Sequence, residues 1–462
     1  MKKQIIGMAA LGLMIAAPAL ADENVMSKFK FTIGGFVKLD YVYNSTALTV
    51  PATTPNAYTS TPGNSYSALL PSSGAIPKTT SAQGKSDEST LTARQSRLWF
   101  KSTGPELFGG KTMALIEGDF YGADGVPADS PGFRLRHAYA AVDWTKTQIL
   151  VGQYWDIFGP MTANTVDFRQ GASFGTPNEP RIPQIRLTQK YGSDDNYFKL
   201  VVGAQNPGQD NYQFTAPVAA PGAGYTTTCT QNAAGVITCT NTAANTTYST
   251  GAYVNGAAQA LFVSNALGKS AGGYMGMSMQ PLTVGVFGLG GYQTYHTTAN
   301  TISAADESLP SWGYGLYAYV PLVKSSDGKS RAGTAAFEGQ IYEAANSAFN
   351  SATTAAVITT SGKLNAAKGY GAAAQLLINP TQDLGMTVGY ERREVVNSGN
   401  YTAANQQQSN YQLFFNTYYN FNAAVMVAAE YQYARTNYIN NTAGQSDFGF
   451  ANVARVSAYY FF

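Results

Sequence analysis

From Phe29 to Asn44 the sequence alternates. Phe29, Phe31, Ile33, Gly35, Val37, Leu39, Tyr41 and Tyr43 share one face, and Lys30, Thr32, Gly34, Lys38 and Asp40 share the other. This pattern predicts a single strand over Phe29 to Asn44, far longer than the roughly 5 to 6 residues of an average strand. One face is apolar with aromatics at both ends, which suits a strand that crosses a bilayer. The last residues repeat the pattern, with Ala454, Val456, Ala458, Tyr460 and Phe462 on one face and Arg455 and Ser457 on the other. A soluble sandwich strand alternates in the same way, but would less readily end a chain on exposed Tyr and Phe.

Composition narrows the choice. Only 12% of the 462 residues are charged, about half of what a soluble domain carries. Disorder is disfavoured by the 31 Tyr, 23 Phe and 47 Gly, since aromatics are what disordered chains lack. Residues 1–21 read as a cleaved secretory leader: Lys2 and Lys3, an apolar run from Ile5 to Leu20, then Ala19-Leu20-Ala21 for the peptidase. An N-terminal membrane anchor is the weaker reading, because the run is short and broken by Pro18. Removing two of 29 bases leaves 27 against 27 acids over residues 22–462. A neutral total excludes a global attraction for nucleic acid. No later stretch is apolar enough for a helical span, so a single barrel domain over 22–462 is the expected architecture, with its backbone satisfied between strands.

Turn signals set the strand count. Short ones fall at Gly104 to Gly110, Asp143 to Lys146, Gly192 to Asn196, near Pro281, Lys324 to Lys329, Asn379 to Asp383 and Tyr419 to Asn422. Between them lie eight long polar linkers, the largest being Ser45 to Ser89 and Asn206 to about Gly251. Seven short turns and eight long loops give an all-β, antiparallel barrel of sixteen strands with both termini on the short-turn side. The eighth strand, between Ala252 and Gln280, has a blurred period, and fourteen or eighteen strands also fit. Cys229 and Cys239 flank a turn at Asn232 to Gly235 within the fourth loop. A local disulfide is the favoured reading in an oxidising compartment, with free thiols the alternative.

Parity assigns the charges. A base on the lipid face costs about 2 to 4 kcal/mol at the bilayer centre. Arg134 and Arg136 must therefore face water, opposite Phe133, Leu135 and Tyr139. The same reading turns Arg97, Trp99 and Lys101 inward, then Glu117 and Asp119, then Gln184, Arg186 and Thr188. Over the first six strands the inward bases are Lys30, Lys38, Arg97, Lys101, Lys111, Arg134, Arg136 and Arg186, against the acids Asp40, Glu117 and Asp119. One wall of the lumen is expected to be basic. The third loop, Trp155 to Arg181, carries Asp156, Asp167, Arg169 and Arg181 without alternation. Folded inward, it would constrict the lumen and set Asp156 and Asp167 across from the arginines. An ordinary external loop is the alternative.

Catalysis finds little support. His137 shares the parity of Leu135 and Tyr139, and so is expected outside, and His296 begins a loop. A Ser-His-Asp site, a histidine metal site and a cysteine metal site all lack partners. Glu117 and Asp119 could form a carboxylate pair, but amid bases they read as charge balance. Catalytic residues, bound metals and cofactors are therefore all expected to be absent. Asp194 and Asp195 read as a turn, not a calcium site.

Four segments carry a resemblance: Arg94-Gln-Ser-Arg-Leu-Trp-Phe-Lys101, Ile116-Glu-Gly-Asp-Phe120, Phe133-Arg-Leu-Arg-His-Ala-Tyr139 and Leu150-Val-Gly-Gln-Tyr-Trp-Asp-Ile-Phe158. They resemble the DcaP-like family of trimeric outer-membrane porins over roughly Thr90 to Tyr191, with a weaker match at Ile33 to Asp40. The resemblance implies a homotrimer in the bacterial outer membrane, a third loop inside each pore, and passive diffusion of small anionic solutes such as dicarboxylates. It also implies contact with outer-membrane lipid. The terminal Phe462 resembles the signal read by the barrel-assembly machinery. Arg97, Arg134 and Arg136 match the family's inward basic positions, and Arg186 fits them. Two departures stand out. Only Asp22 to Lys28 precede the first strand, which leaves no room for a coiled-coil extension or a plug, and Trp99 replaces a glycine. The competing reading is a structural or adhesive surface barrel that acts through its loops, with a closed lumen.

Overall fold

The computed structural model describes residues 28–47, 76–120, 132–168, 174–176, 181–206, 225–231, 237–243, 247–251, 254–270, 272, 278–297, 307–345, 356–358, 364–366, 368–396, 406–439 and 441–462. The expected leader and Arg169 lie outside these residues.

The chain forms a closed antiparallel barrel of sixteen strands. They are β1 (Lys30–Asn44), β2 (Glu88–Thr92 and Arg97–Thr103), β3 (Lys111–Asp119), β4 (Arg134–Asp143), β5 (Thr147–Trp155), β6 (Arg181–Gly192), β7 (Asn196–Gln205) and β8 (Thr247–Gly251 and Asn255–Ser270). The second half comprises β9 (Gln280–Thr297), β10 (Glu307–Val323), β11 (Thr334–Ala345), β12 (Lys368–Asn379), β13 (Leu384–Val395), β14 (Gln406–Asn420), β15 (Val425–Ile439) and β16 (Phe448–Phe461). The two pieces of β2 pair with successive halves of β1, and both pieces of β8 pair with β9, so each pair counts as one interrupted strand. Each neighbour pairs with the next, and β16 returns to β1. At that seam Gly35 and Phe462 exchange both backbone hydrogen bonds at 3.1 Å. A sheet closed in this way has no edge left to satisfy.

Short turns and long loops alternate as the punctuation predicts. One signal is displaced: Pro281 lies inside β9, and the β8–β9 connection precedes it. Cys229 and Cys239 fall directly opposite each other in a two-stranded hairpin, Tyr225–Gln231 with Ile237–Ala243.

Alternation holds along most strands. On β1, Phe31, Ile33, Val37, Leu39 and Tyr41 are exposed on the outside, while Lys38, Asp40 and Val42 are fully buried inside. An outer surface of apolar residues is what lipid contact requires. One strand departs from strict parity. Between β3 and β4 the register jumps, so that Glu117 faces His137 and Gly118 faces Leu135, leaving Arg136 as an extra residue. This β-bulge reverses the parity beyond it. His137 and Tyr139 therefore turn to the lumen side, contrary to the outward placement predicted from uninterrupted alternation, and Ala141 is buried there opposite Leu150.

The third loop enters the barrel and runs along its wall. Gln259 on β8 donates to the Ile157 carbonyl at 2.5 Å. Gln340 on β11 and Gln375 on β12 accept from the Met161 and Asn164 amides, and Glu430 on β15 accepts from Val166. Phe158 and Met161 pack with Leu261, Phe287, Tyr317, Tyr319 and Tyr342, filling the gap between loop and wall. Gly313 makes this approach feasible, since a Cβ there would sit 2.7 Å from the Phe158 ring.

Candidate pore constriction

Two buried networks and one open cavity define the lumen. The first network balances the arginines of β4. Arg134 Nε and Nη2 donate to the two Asp119 oxygens at 2.9 and 2.7 Å. Arg136 reaches Glu117 at 2.6 Å and Asp119 at 2.8 Å. Arg97 lies 3.7 Å from Glu117, with its guanidinium over the Phe36 and Phe168 rings and not against Trp99. Trp99 instead covers Gly34, where a Cβ would meet its ring at 2.2 Å. His137 Nε2 stands 3.9 Å from Glu117, packed on Tyr154 and Trp155. The arginine row is therefore largely compensated by its own cross-strand carboxylates.

The second network anchors the far end of the third loop. Arg455 donates to Asp167 at 2.7 Å and also approaches Asp40 and Glu430, at 3.5 and 3.8 Å. Lys38 bonds the Val166 carbonyl at 2.8 Å, contacts Gln95 and pairs with Asp40 at 2.9 Å. Gln95 in turn donates to Asp167 at 2.7 Å. It occupies the break in β2, where residues 93–96 leave the ladder. Lys38, Asp40, Asp167 and Arg455 are essentially inaccessible. Asp167 therefore does not stand across the lumen from the arginines, as expected of it. Its charge is spent on Arg455, and Lys38 is part of the same anchor.

What remains open is a cavity of ≈ 690 Å³ bounded by the loop at Pro160 to Thr165 and by the barrel wall. Its charged lining consists of Arg97, Arg136, Arg186 and Lys199 with the acids Asp156 and Glu338. Arg186 lies over the Tyr154 ring at 4.5 Å. Neither Arg186 nor Lys199 forms an ion pair with an acid among the described residues. Lys190, on β6 beside Lys199, extends this cationic column toward the short-turn end. Arg181, at the start of β6, stacks on Trp155 at 4.8 Å, and Lys101 lies on β2 nearer the short turn.

Lys190 and Lys199 carried a legible signal. Both continue the inward parity of their strands, Lys199 alternating with the exposed Phe198, Leu200 and Val202. Glu338 on β11 supplies an acid to the cavity lining, which Asp167 does not. It accepts from Tyr317 at 2.8 Å and from Gln375 at 2.7 Å. Asp156 is buried at the cavity edge and accepts from the Phe158 amide at 2.9 Å. Burial pushes its carboxyl up to about 6, with the Phe158 and Ile157 amides pulling the other way. The sign follows directly: below that value Asp156 is neutral and the lining loses a negative charge. Anion preference should therefore rise as pH falls from 7.5 to 5, and Asp156→Asn should flatten the dependence. A selectivity unchanged across this range would contradict the assignment.

Among the described residues no group of His, Cys, Asp and Glu is arranged to hold a metal ion. No family model and no curated protein sequence matches the chain. Solved structures do. The outer membrane channel DcaP of Acinetobacter baumannii superposes with a TM-score of 0.63 at 14% identity, covering 94% of this chain and 98% of that one. An anion-selective porin from Comamonas acidovorans gives 0.50 at 10% identity, covering 94% and 100%. Salmonella typhi OmpF in complex with daunomycin gives 0.50 at 10% identity, covering 95% and 99%. The fold is that of the bacterial outer-membrane porins.

Proposed function

We propose that the protein is a passive outer-membrane diffusion channel for small hydrophilic solutes that favours anions, dicarboxylates among them. The observation carrying this reading is the lumenal cavity lined by Arg186 and Lys199, which have no acidic partner among the described residues. A cation fixed beside a narrow aqueous path raises the local concentration of anions. Two adjacent cations suit a solute with two carboxylates, and the opposed Glu338 would orient such a solute. Single-channel recording tests this: the proposed pore gives open current that a short-chain dicarboxylate reduces by binding. Absence of current would favour a closed barrel acting through its loops.

Assembly as a homotrimer is proposed on the family resemblance. No small-residue patch adds to it: Ala141 is turned inward, and Gly118 and Gly35 lie against the Phe133 and Phe462 rings. A disulfide between Cys229 and Cys239 is proposed from their opposed register. Both are checked on one sample of detergent-extracted, unheated protein. It should elute at trimer mass and resist thiol alkylation until reduced; monomer mass or immediate labelling would refute the respective proposal.

A further inference from the structure

The cationic column on β6 and β7 does not end at the cavity. Lys190 and Lys199 stand directly opposite each other in the β6–β7 register, and Lys190 shares the inward parity of Arg186 and Thr188. Like charges placed directly across a sheet destabilise it. No acid relieves this pair by an ion pair among the described residues. The acids nearest in sequence, Asp194 and Asp195, belong to the exposed turn, where Asp195 accepts from Asn265 at 2.6 Å.

Tyr197 joins Lys190 to the cavity. The Lys190 ammonium lies over the Tyr197 ring at 5.4 Å, and that ring lines the cavity together with Lys199 and Arg186. Arg186, over Tyr154, marks the other end of the row. Four residues separate it from Lys190 along β6, which sets their backbones ~13 Å apart at the rise of a strand. The three charges are therefore spread along the wall and do not converge on one point. A phosphate gathers its charge on the oxygens of a single centre and would meet these cations one at a time. Carboxylates carried at intervals on a short carbon chain would meet all three together.

We propose that this site takes compact tricarboxylates, with Arg186, Lys199 and Lys190 each facing one carboxylate. On the anion-channel reading above, which this assignment presupposes, Lys190 supplies the third charge. Block of single-channel current in planar bilayers at pH 8 tests it with a matched pair of solutes, propane-1,2,3-tricarboxylate and glutarate, which lacks only the central carboxylate. At equal ionic strength the tricarboxylate should block about tenfold more tightly. Lys190→Gln should weaken tricarboxylate block about fourfold and glutarate block by less than about twofold. Lys111→Gln, which removes a base from the same end of the barrel on β3, should leave both within about twofold of wild type. Glutarate blocking as tightly as the tricarboxylate, or an equal loss for both solutes in Lys190→Gln, would overturn the assignment. So would a loss of tricarboxylate block in Lys111→Gln as large as in Lys190→Gln, since the attraction would then belong to the general field of the mouth. A purified protein that passes no current would instead overturn the channel reading beneath it.

Discussion

Replacing Arg186 and Lys199 together by glutamine should shift the channel several-fold toward cations. A unit charge at roughly 7 Å in a water-like dielectric contributes about 0.6 kcal/mol. Two such charges favour an anion by about 1.2 kcal/mol and disfavour a cation by about the same amount. Screening with a Debye length of about 10 Å removes about half of this, leaving a change of roughly sevenfold in the anion-to-cation ratio. A charge-balanced control separates these cations from the arginine row. Neutralising Arg134, Arg136, Glu117 and Asp119 at once removes two bases and two acids that already pair with one another. Selectivity should then stay within about twofold of wild type, since the net lumenal charge is unchanged. Zero-current potentials across a salt gradient read both variants. The assignment fails if the quadruple variant moves selectivity more than the Arg186/Lys199 pair does.

The second large effect is expected at the anchor of the third loop. Arg455→Met leaves Asp40, Asp167 and Glu430 buried, with Lys38 alone to balance them. Stranding buried carboxylates costs about 3 to 5 kcal/mol. The barrel ladder does not depend on this side chain, so the cost should be relieved by release of the loop near Val166 and Asp167. Larger, flickering single-channel currents and an earlier thermal transition are expected. Adding Asp167→Asn removes one stranded charge and should restore part of the stability. Conductance and thermal transition both identical to wild type in Arg455→Met would show that the loop is held elsewhere.

Period-two alternation made most of the barrel legible. The apolar face of β1, the terminal strand and the turn punctuation each follow from lipid on one side and water on the other, a constraint that every strand must obey. The bulge at Arg136 was not legible, because one extra residue leaves no mark in composition, yet it reverses the parity of His137, Tyr139 and Ala141. The loop anchor was hidden for a different reason. Arg455 and Asp167 are 288 residues apart, and no local pattern reports which charges meet inside a closed sheet. Inward counting assigns the bases of the first six strands to one wall, but counting cannot tell a compensated arginine from an unpaired one. Arg136 and Arg186 look alike in sequence, and only the carboxylates beside Arg136 distinguish them.

The proposed lumen is open, and Arg186 and Lys199 make it select for anions. The zero-current potential of the wild-type protein in a planar bilayer, under a potassium chloride gradient at neutral pH, tests it most directly. An anion-selective lumen gives a potential of the sign set by chloride moving down its gradient. A potential of the opposite sign, set by potassium, would contradict it.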